Sequence, residues 1–379
     1  MWLRPREISL DEEIQQSGDR EQKRIEKNRP RRITASILLG VTALTSILYA
    51  TDVAKNEQLQ NEASISIEVK GDPANESTEG SALVFINGFG TYDADILAKY
   101  IGPVIQQVID GELWSLSYGN APLSEEAIAE EIKQLAKQRN IDRVTVIGYS
   151  AGGIIGIHTV EELYENSNLI VEAIVPISTP DGIEGLRPAR KDEIAVAQLA
   201  EDVPGASHST AVRFGGEMYF RRDRYDEGDP LKRVQDFMST AGQVIEDLDD
   251  EKMPSTPLLI DVTVAISNAQ LEEALMNIGS YDSKKQRPIV WYLGTAKPGR
   301  DYMVDDKLSS KNICAYSEKA NLECFTGFVP GAVHTMPNLA NEEYMATVAE
   351  MGPLVDAAIT RAQQMYSMAN LAIRTPIYH

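Results

Sequence analysis

The sequence predicts an α/β protein: a mostly parallel sheet covered by helices on both faces and interrupted by a helical insertion. Three observations carry this. From about residue 80, short β-rich apolar runs alternate with helical patterns. Several of these runs are apolar at nearly every position, which is the mark of strands buried on both faces. The alternation then stops for about a hundred residues and resumes near the C-terminus.

Ala82–Asn87 (ALVFIN) is the first clear strand. A helix follows, with Ile96, Leu97, Tyr100, Ile101, Val104, Ile105 and Val108 on one side. Glu112–Ser117 is the next strand. Ser124 then offers an N-cap hydroxyl to a helix carrying Ile128, Ile132 and Leu135 inward. Arg143–Gly148 (RVTVIG) is a strand, Ala151–Tyr164 a helix and Ile170–Ile177 a nearly continuous apolar strand. Between Gly182 and Lys285 lies the charged, helix-patterned insertion. Strands resume at Pro288–Gly294 (PIVWYLG) and Leu322–Phe328 (LECFTGF), and a helical region begins at Asn341.

The 379 residues carry 36 basic and 57 acidic side chains, a net charge of −21. That balance argues against sequence-independent nucleic-acid binding, which depends on Lys and Arg against phosphates. With hydrophobic residues at 43%, there is ample material for a core. Two cysteines and four histidines exclude a four-cysteine zinc site, and the sequence holds no HExxH, phosphate-binding loop or calcium loop. No cofactor or metal is expected.

The charge is uneven. Residues 1–32 are rich in both signs, with Arg29, Arg31 and Arg32 at the end, whereas residues 33–50 (ITASILLGVTALTSILYA) carry none. Eighteen helical residues rise about 27 Å, close to the roughly 30 Å hydrocarbon core of a bilayer. A retained single-pass membrane anchor is therefore expected, with the N-terminus cytoplasmic and the large C-terminal part outside the cytoplasm. A cleaved signal and a buried core helix are the competing readings. The expected organisation is a cytoplasmic arm at 1–32, an anchor at 33–50 and a linker with a first strand at 51–80. The core then runs over 81–182 and 287–379, with a cap insertion at 183–286 between its parts. The folded part should begin near Ile65.

Gly148-Tyr149-Ser150-Ala151-Gly152 is a G-x-S-x-G pentapeptide at a strand-to-helix junction. Small flanking residues let the strand and helix approach, while the turn lifts the serine hydroxyl above the sheet. The bare pattern arises by chance about once in ten chains of this composition; its position between RVTVIG and a helix is what makes it informative.

With GYSAGG at 148–153, INGFG at 86–90, STPDG at 178–182, GRDYMV at 299–304 and GAVH at 331–334, the sequence resembles the α/β-hydrolase family in its esterase/lipase-like branch. The resemblance spans about residues 80–370, apart from the insertion. It implies an eight-stranded, mostly parallel sheet, a cap entering after the sixth strand, and a Ser–acid–His triad in that chain order. Ser150 would be the nucleophile and His334 the base. Asp301 is the favoured acid, with Asp305, Asp306 and Asp181 as alternatives. The backbone amides of Phe89 and Ala151 would form the oxyanion hole. Asn87 stands where the family usually has histidine, but the donor there is backbone. His158 lies within the helix after Ser150, His208 in the insertion and His379 at the C-terminus, and none suits the base.

Cys314 and Cys324 flank the last strand, and a disulfide between them would suit an exported domain. The expected function is hydrolysis of a carboxylester, lipid or thioester bond by a membrane-anchored serine hydrolase through an acyl-enzyme. The partners implied are an ester substrate and the membrane itself. Acyl transfer with the same triad, or a non-catalytic binding module on the same fold, are the alternatives.

Overall fold

The computed structural model describes residues 64–75, 80–88, 93–119, 121–188, 190–192, 194, 198, 206, 209–225, 229–249, 256–281, 285–297, 301–334 and 340–374. The arm at 1–32 and the anchor at 33–50 lie outside these residues. Among the described residues no helix is long and apolar enough to cross a membrane.

Seven strands form one sheet: β1 (Ser66–Gly71), β2 (Ser81–Ile86), β3 (Glu112–Ser117), β4 (Arg143–Tyr149), β5 (Ile170–Ile177), β6 (Ile289–Thr295) and β7 (Cys324–Val329). Their spatial order is β1-β3-β2-β4-β5-β6-β7. β1 pairs antiparallel with β3, and every other pairing is parallel. The described sheet thus has one strand fewer than the family resemblance implies. Burial follows topology. β1, at an edge, alternates exposed and half-buried positions, whereas β2 and β6 are buried throughout. A parallel strand covered on both faces has no solvent side to give polar residues.

The two faces carry separate apolar clusters. Along β2, Val84 and Ile86 point into one and Leu83 and Phe85 into the other, as the period of two requires. The first cluster is closed by α3 (Glu125–Arg139) and α4 (Ala151–Asn166). The second is closed by α1 (Asp95–Tyr100), α2 (Gly102–Ile105) and α10 (Asn341–Arg374). The Ser124 hydroxyl accepts from Ala127 N at 3.2 Å, as expected of an N-cap, and Asn140 closes α3 in the left-handed conformation at φ 56°. The helix expected over Ile96–Val108 is instead divided into α1 and α2. Pro103 lacks an N–H and its ring clashes with the preceding turn, so it serves only at the start of a new helix.

The insertion between β5 and β6 holds α5 (Thr210–Phe220), α6 (Pro230–Asp249), α7 (Thr256–Ser267) and α8 (Leu271–Ser280). They are not equivalent. Leu258, Val262 and Ile266 of α7, and Leu271, Ala274, Leu275 and Ile278 of α8, belong to the main core. The outer side of α6 is exposed. α9 (Asp306–Lys319) follows β6 and is joined to β7 by a Cys314–Cys324 disulfide closing a separation of 10 residues.

That bridge anchors the strand that leads into the loop of His334. Closing a loop of this size stabilises by about 3 kcal/mol in the chain-entropy treatment. The Cys314→Ser/Cys324→Ser variant should therefore unfold at lower denaturant concentration than the wild type. Wild-type protein under reductant should match the variant. An unchanged midpoint in both would show that the bridge does not constrain the chain.

Candidate active site

The C-terminal ends of β2, β4, β6 and β7 lie side by side, because parallel strands in register finish at the same edge of the sheet. Ile86 is level with Gly148, Tyr149 with Ile177, and Thr295 with Val329. The chain leaves each strand into a loop bearing one of the residues singled out in the sequence. In open parallel sheets this edge is where sites assemble.

Ser150 follows β4 directly and precedes the first turn of α4. Its backbone sits at φ 55°, ψ −130°, a conformation unfavourable for a residue with a side chain. Two bonds hold the turn: Ser150 N–H donates to Ile177 O at 2.8 Å, and Gly153 N–H donates to Ser150 O at 3.0 Å. The flanking glycines are required for space. A Cβ at Gly148 would meet the Gly152 backbone, one at Gly152 the Ile86 carbonyl, and one at Gly153 the Thr179 side chain. The spacing of the motif is thus the spacing at which strand, helix and the neighbouring β2 loop touch.

Buried Ser150 and His334 face each other, with His334 Nε2 at 2.9 Å from Ser150 Oγ. On the other side of the ring, His334 Nδ1 lies 2.7 Å from Asp301 Oδ2. A carboxylate accepts from Nδ1–H, so this contact selects the tautomer whose Nε2 is free to take the serine proton. The Asp301 side chain is fully buried, and its other oxygen accepts from Met303 N at 2.8 Å and Val304 N at 2.7 Å. The loop carrying it is pinned to the start of the insertion: Arg187 N donates to Met303 O at 2.8 Å and Asp305 N to Gly185 O at 2.7 Å.

The structure gives the alternative acids other work. Asp305 caps α9 through Leu308 N and pairs with Arg187 at 3.1 Å. Asp181 accepts from Asn312 Nδ2 at 2.6 Å and from Ser309 Oγ at 3.2 Å. Asp306, 2% exposed, accepts from Thr295 N at 2.9 Å and Thr295 Oγ1 at 2.7 Å, with the Tyr292 hydroxyl 2.7 Å from its other oxygen. Of the four carboxylates, Asp301 is the one that meets His334.

Ala151 is buried at the first position of α4, where its N–H has no intrahelical partner. Gly88 packs against the same turn: a Cβ there would lie 2.8 Å from Ala151 N and 3.0 Å from Ser150 Cβ. The Tyr118 hydroxyl donates to Asn87 O at 2.6 Å and steadies this loop. Phe89 lies outside the described residues, as do His208 and His379. His158, half-buried on α4, lies between Glu161 and the Ala269 carbonyl, at 3.2 and 2.7 Å. It lines a separate cavity of about 330 Å³ with Glu161, Glu162, Asp261 and Asn268 that contains none of Ser150, His334 or Asp301.

No sequence motif announced the Asp306–Tyr292–Thr295 cluster, which fixes the end of β6 just before the acid loop. Burial, then the nearby Asp301 charge, raises the Asp306 carboxyl from 3.8 to about 6. A carboxyl raised on folding contributes stability that is complete below about 3.8 and lost as pH rises through about 6. Asp306→Asn keeps the acceptor for Thr295 and can donate to the Tyr292 oxygen. It should be more stable than the wild type by about 1–3 kcal/mol near pH 8, with the gain vanishing near pH 4. Denaturant midpoints across this range test it, and parallel pH profiles for the two proteins would refute it.

Neither a protein-family model nor a curated protein sequence matches the chain. Solved structures do resemble it. One is a carboxylesterase of the ammonia-oxidising thaumarchaeon Nitrososphaera gargenis, at 15% identity over 79% of this chain and 95% of that one, with a TM-score of 0.43. A lipase-esterase related protein from Clostridium acetobutylicum shares 15% over 76% and 99%, at 0.45. A monoacylglycerol lipase of Paleococcus ferrophilus shares 13% over 78% and 99%, at 0.45. The chain's own strand order, its parallel sheet flanked by helices and the tight Ser150 turn between β4 and α4 make this an α/β-hydrolase fold.

Proposed function

We propose that the protein is a serine hydrolase cleaving an ester-like bond through an acyl-enzyme. The observation that carries this reading is the continuous hydrogen-bonded chain from Asp301 through His334 to Ser150, at the strained turn where a nucleophile is expected. A binding module would have no need to bury a histidine between a serine hydroxyl and a carboxylate.

In this mechanism Ser150 Oγ attacks the carbonyl carbon while His334 Nε2 takes its proton. Asp301 holds the ring and stabilises the imidazolium. The negative charge on the carbonyl oxygen is met by the amides of Ala151 and Phe89, each such donor being worth about 3–4 kcal/mol in the transition state. His334 then protonates the leaving group, and water enters to release the acid and restore Ser150. The insertion shapes the substrate pocket, and an anchor at 33–50 holds the enzyme at a membrane with its hydrolase domain outside the cytoplasm. The Cys314–Cys324 disulfide supports that topology, because such bonds persist in oxidising compartments. Lipid or cell-envelope esters are the substrate class that this location favours.

A fluorophosphonate probe tests the chemistry directly. Wild-type protein should label at Ser150. Ser150→Ala should abolish labelling, and His334→Ala or Asp301→Asn should lower the rate of ester hydrolysis by about 10⁴-fold or more. Asp181→Asn and Asp305→Asn should retain most of the activity. Folded wild-type protein that neither labels nor hydrolyses short-chain esters would refute the proposal. Protease accessibility of the C-terminal domain in intact cells tests the topology: protection from external protease would place it on the cytoplasmic side.

A further inference from the structure

On the outer side of α6, Leu231, Val234, Met238 and Ile245 are 71%, 61%, 66% and 54% exposed. The opposite side of the same helix packs inward through Thr240 and Val244. Isolated exposed apolar residues need no explanation, but four on one face of one helix form a stripe. Their spacing is that of a helix–helix seam, because residues three, seven and fourteen positions apart return to the same side.

The stripe has a centre. Leu231 and Ile245 each stand seven residues from Met238, and Val234 and Gly242 each stand four away. Nothing lies within 4 Å of the place a Cβ would take at Gly242. Two copies of α6 laid antiparallel about a twofold axis at Met238 therefore set Leu231 against Ile245 and Val234 into the space left by Gly242. Met238 meets Met238.

Charge selects the direction. The N-terminal end of α6 carries Lys232 and Arg233, and its C-terminal end carries Glu246, Asp247 and Asp249. Antiparallel pairing puts Lys232 of each copy on the same flank and close to the same level as Glu246 of the other. Parallel pairing would bring like ends together. The helix is net acidic, with two basic and four acidic residues, which disfavours the alternative of an anionic bilayer surface. We infer that the outer stripe of α6 is a docking surface for a second copy of this chain, paired antiparallel about Met238.

Cysteine cross-linking of the full-length protein tests both the pairing and its direction. Met238→Cys should form a disulfide-linked dimer on mild oxidation. Leu231→Cys and Ile245→Cys should cross-link when mixed and fail to do so alone. Met238→Glu should raise the dimer dissociation constant by at least about 100-fold in sedimentation, because it sets two carboxylates against each other in an apolar seam. Fluorophosphonate labelling of every variant should stay at the wild-type level, which separates loss of pairing from loss of fold. Failure of Met238→Cys to cross-link overturns the inference. So does efficient self-linking of Leu231→Cys, which would mean parallel pairing. Loss of vesicle binding in Met238→Glu with no change in mass would assign the stripe to a membrane instead.

Discussion

Everything at the site depends on one steric constraint: strand β4, helix α4 and the loop after β2 meet more closely than side chains permit. Gly88, Gly148, Gly152 and Gly153 occupy the points of contact, and an added Cβ at any of them meets backbone or a buried side chain. This close approach allows Ser150 its left-handed turn, and the turn directs Oγ toward His334. The cost of an unfavourable backbone conformation, of order 1–3 kcal/mol, is sustained by the sheet on either side of it. β4 is buried between β2 and β5 and cannot relax without disturbing both.

The acid side is built on different physics. Here the problem is to give a fully buried carboxyl enough hydrogen-bond partners. Asp301 solves it with two backbone N–H donors on one oxygen and the imidazole on the other. Asp306 sits near it in an equally dry environment and relies on Tyr292 and Thr295. Burial, with the nearby Asp301 adding to it, raises the Asp306 carboxyl. The neighbouring carboxylates thus divide the labour: one touches the histidine and the other secures the strand end from which the acid loop departs.

The insertion shows how one segment can serve two ends. Its last helix, α8, completes the apolar layer over α4 and is as much a part of the core as any strand. Its longest helix, α6, leaves an apolar face to solvent.

The sequence by itself determined the alternation of strands and helices, the position of the insertion and the Ser150 turn. Each is written in local pattern: all-apolar runs for buried parallel strands, the Ser124 cap for α3, and glycines at the spacing of a tight junction. The resemblance also singled out His334 among the four histidines, by its place after the last strand. Local pattern misled where a single residue overrode it, as when Pro103 divided an apolar helical face into α1 and α2. Which carboxylate meets His334 was decided only by tertiary structure. The resemblance favoured Asp301 but left Asp181, Asp305 and Asp306 open, since all four are acids in loops or at helix starts near the right strands. The pinning of the acid loop to Gly185 and Arg187 turns Asp301 inward, while helix capping, Asn312 and Thr295 engage the others. The pinning contacts, Arg187 with Met303 and Gly185 with Asp305, join residues more than a hundred positions apart in the chain, and no local pattern records them.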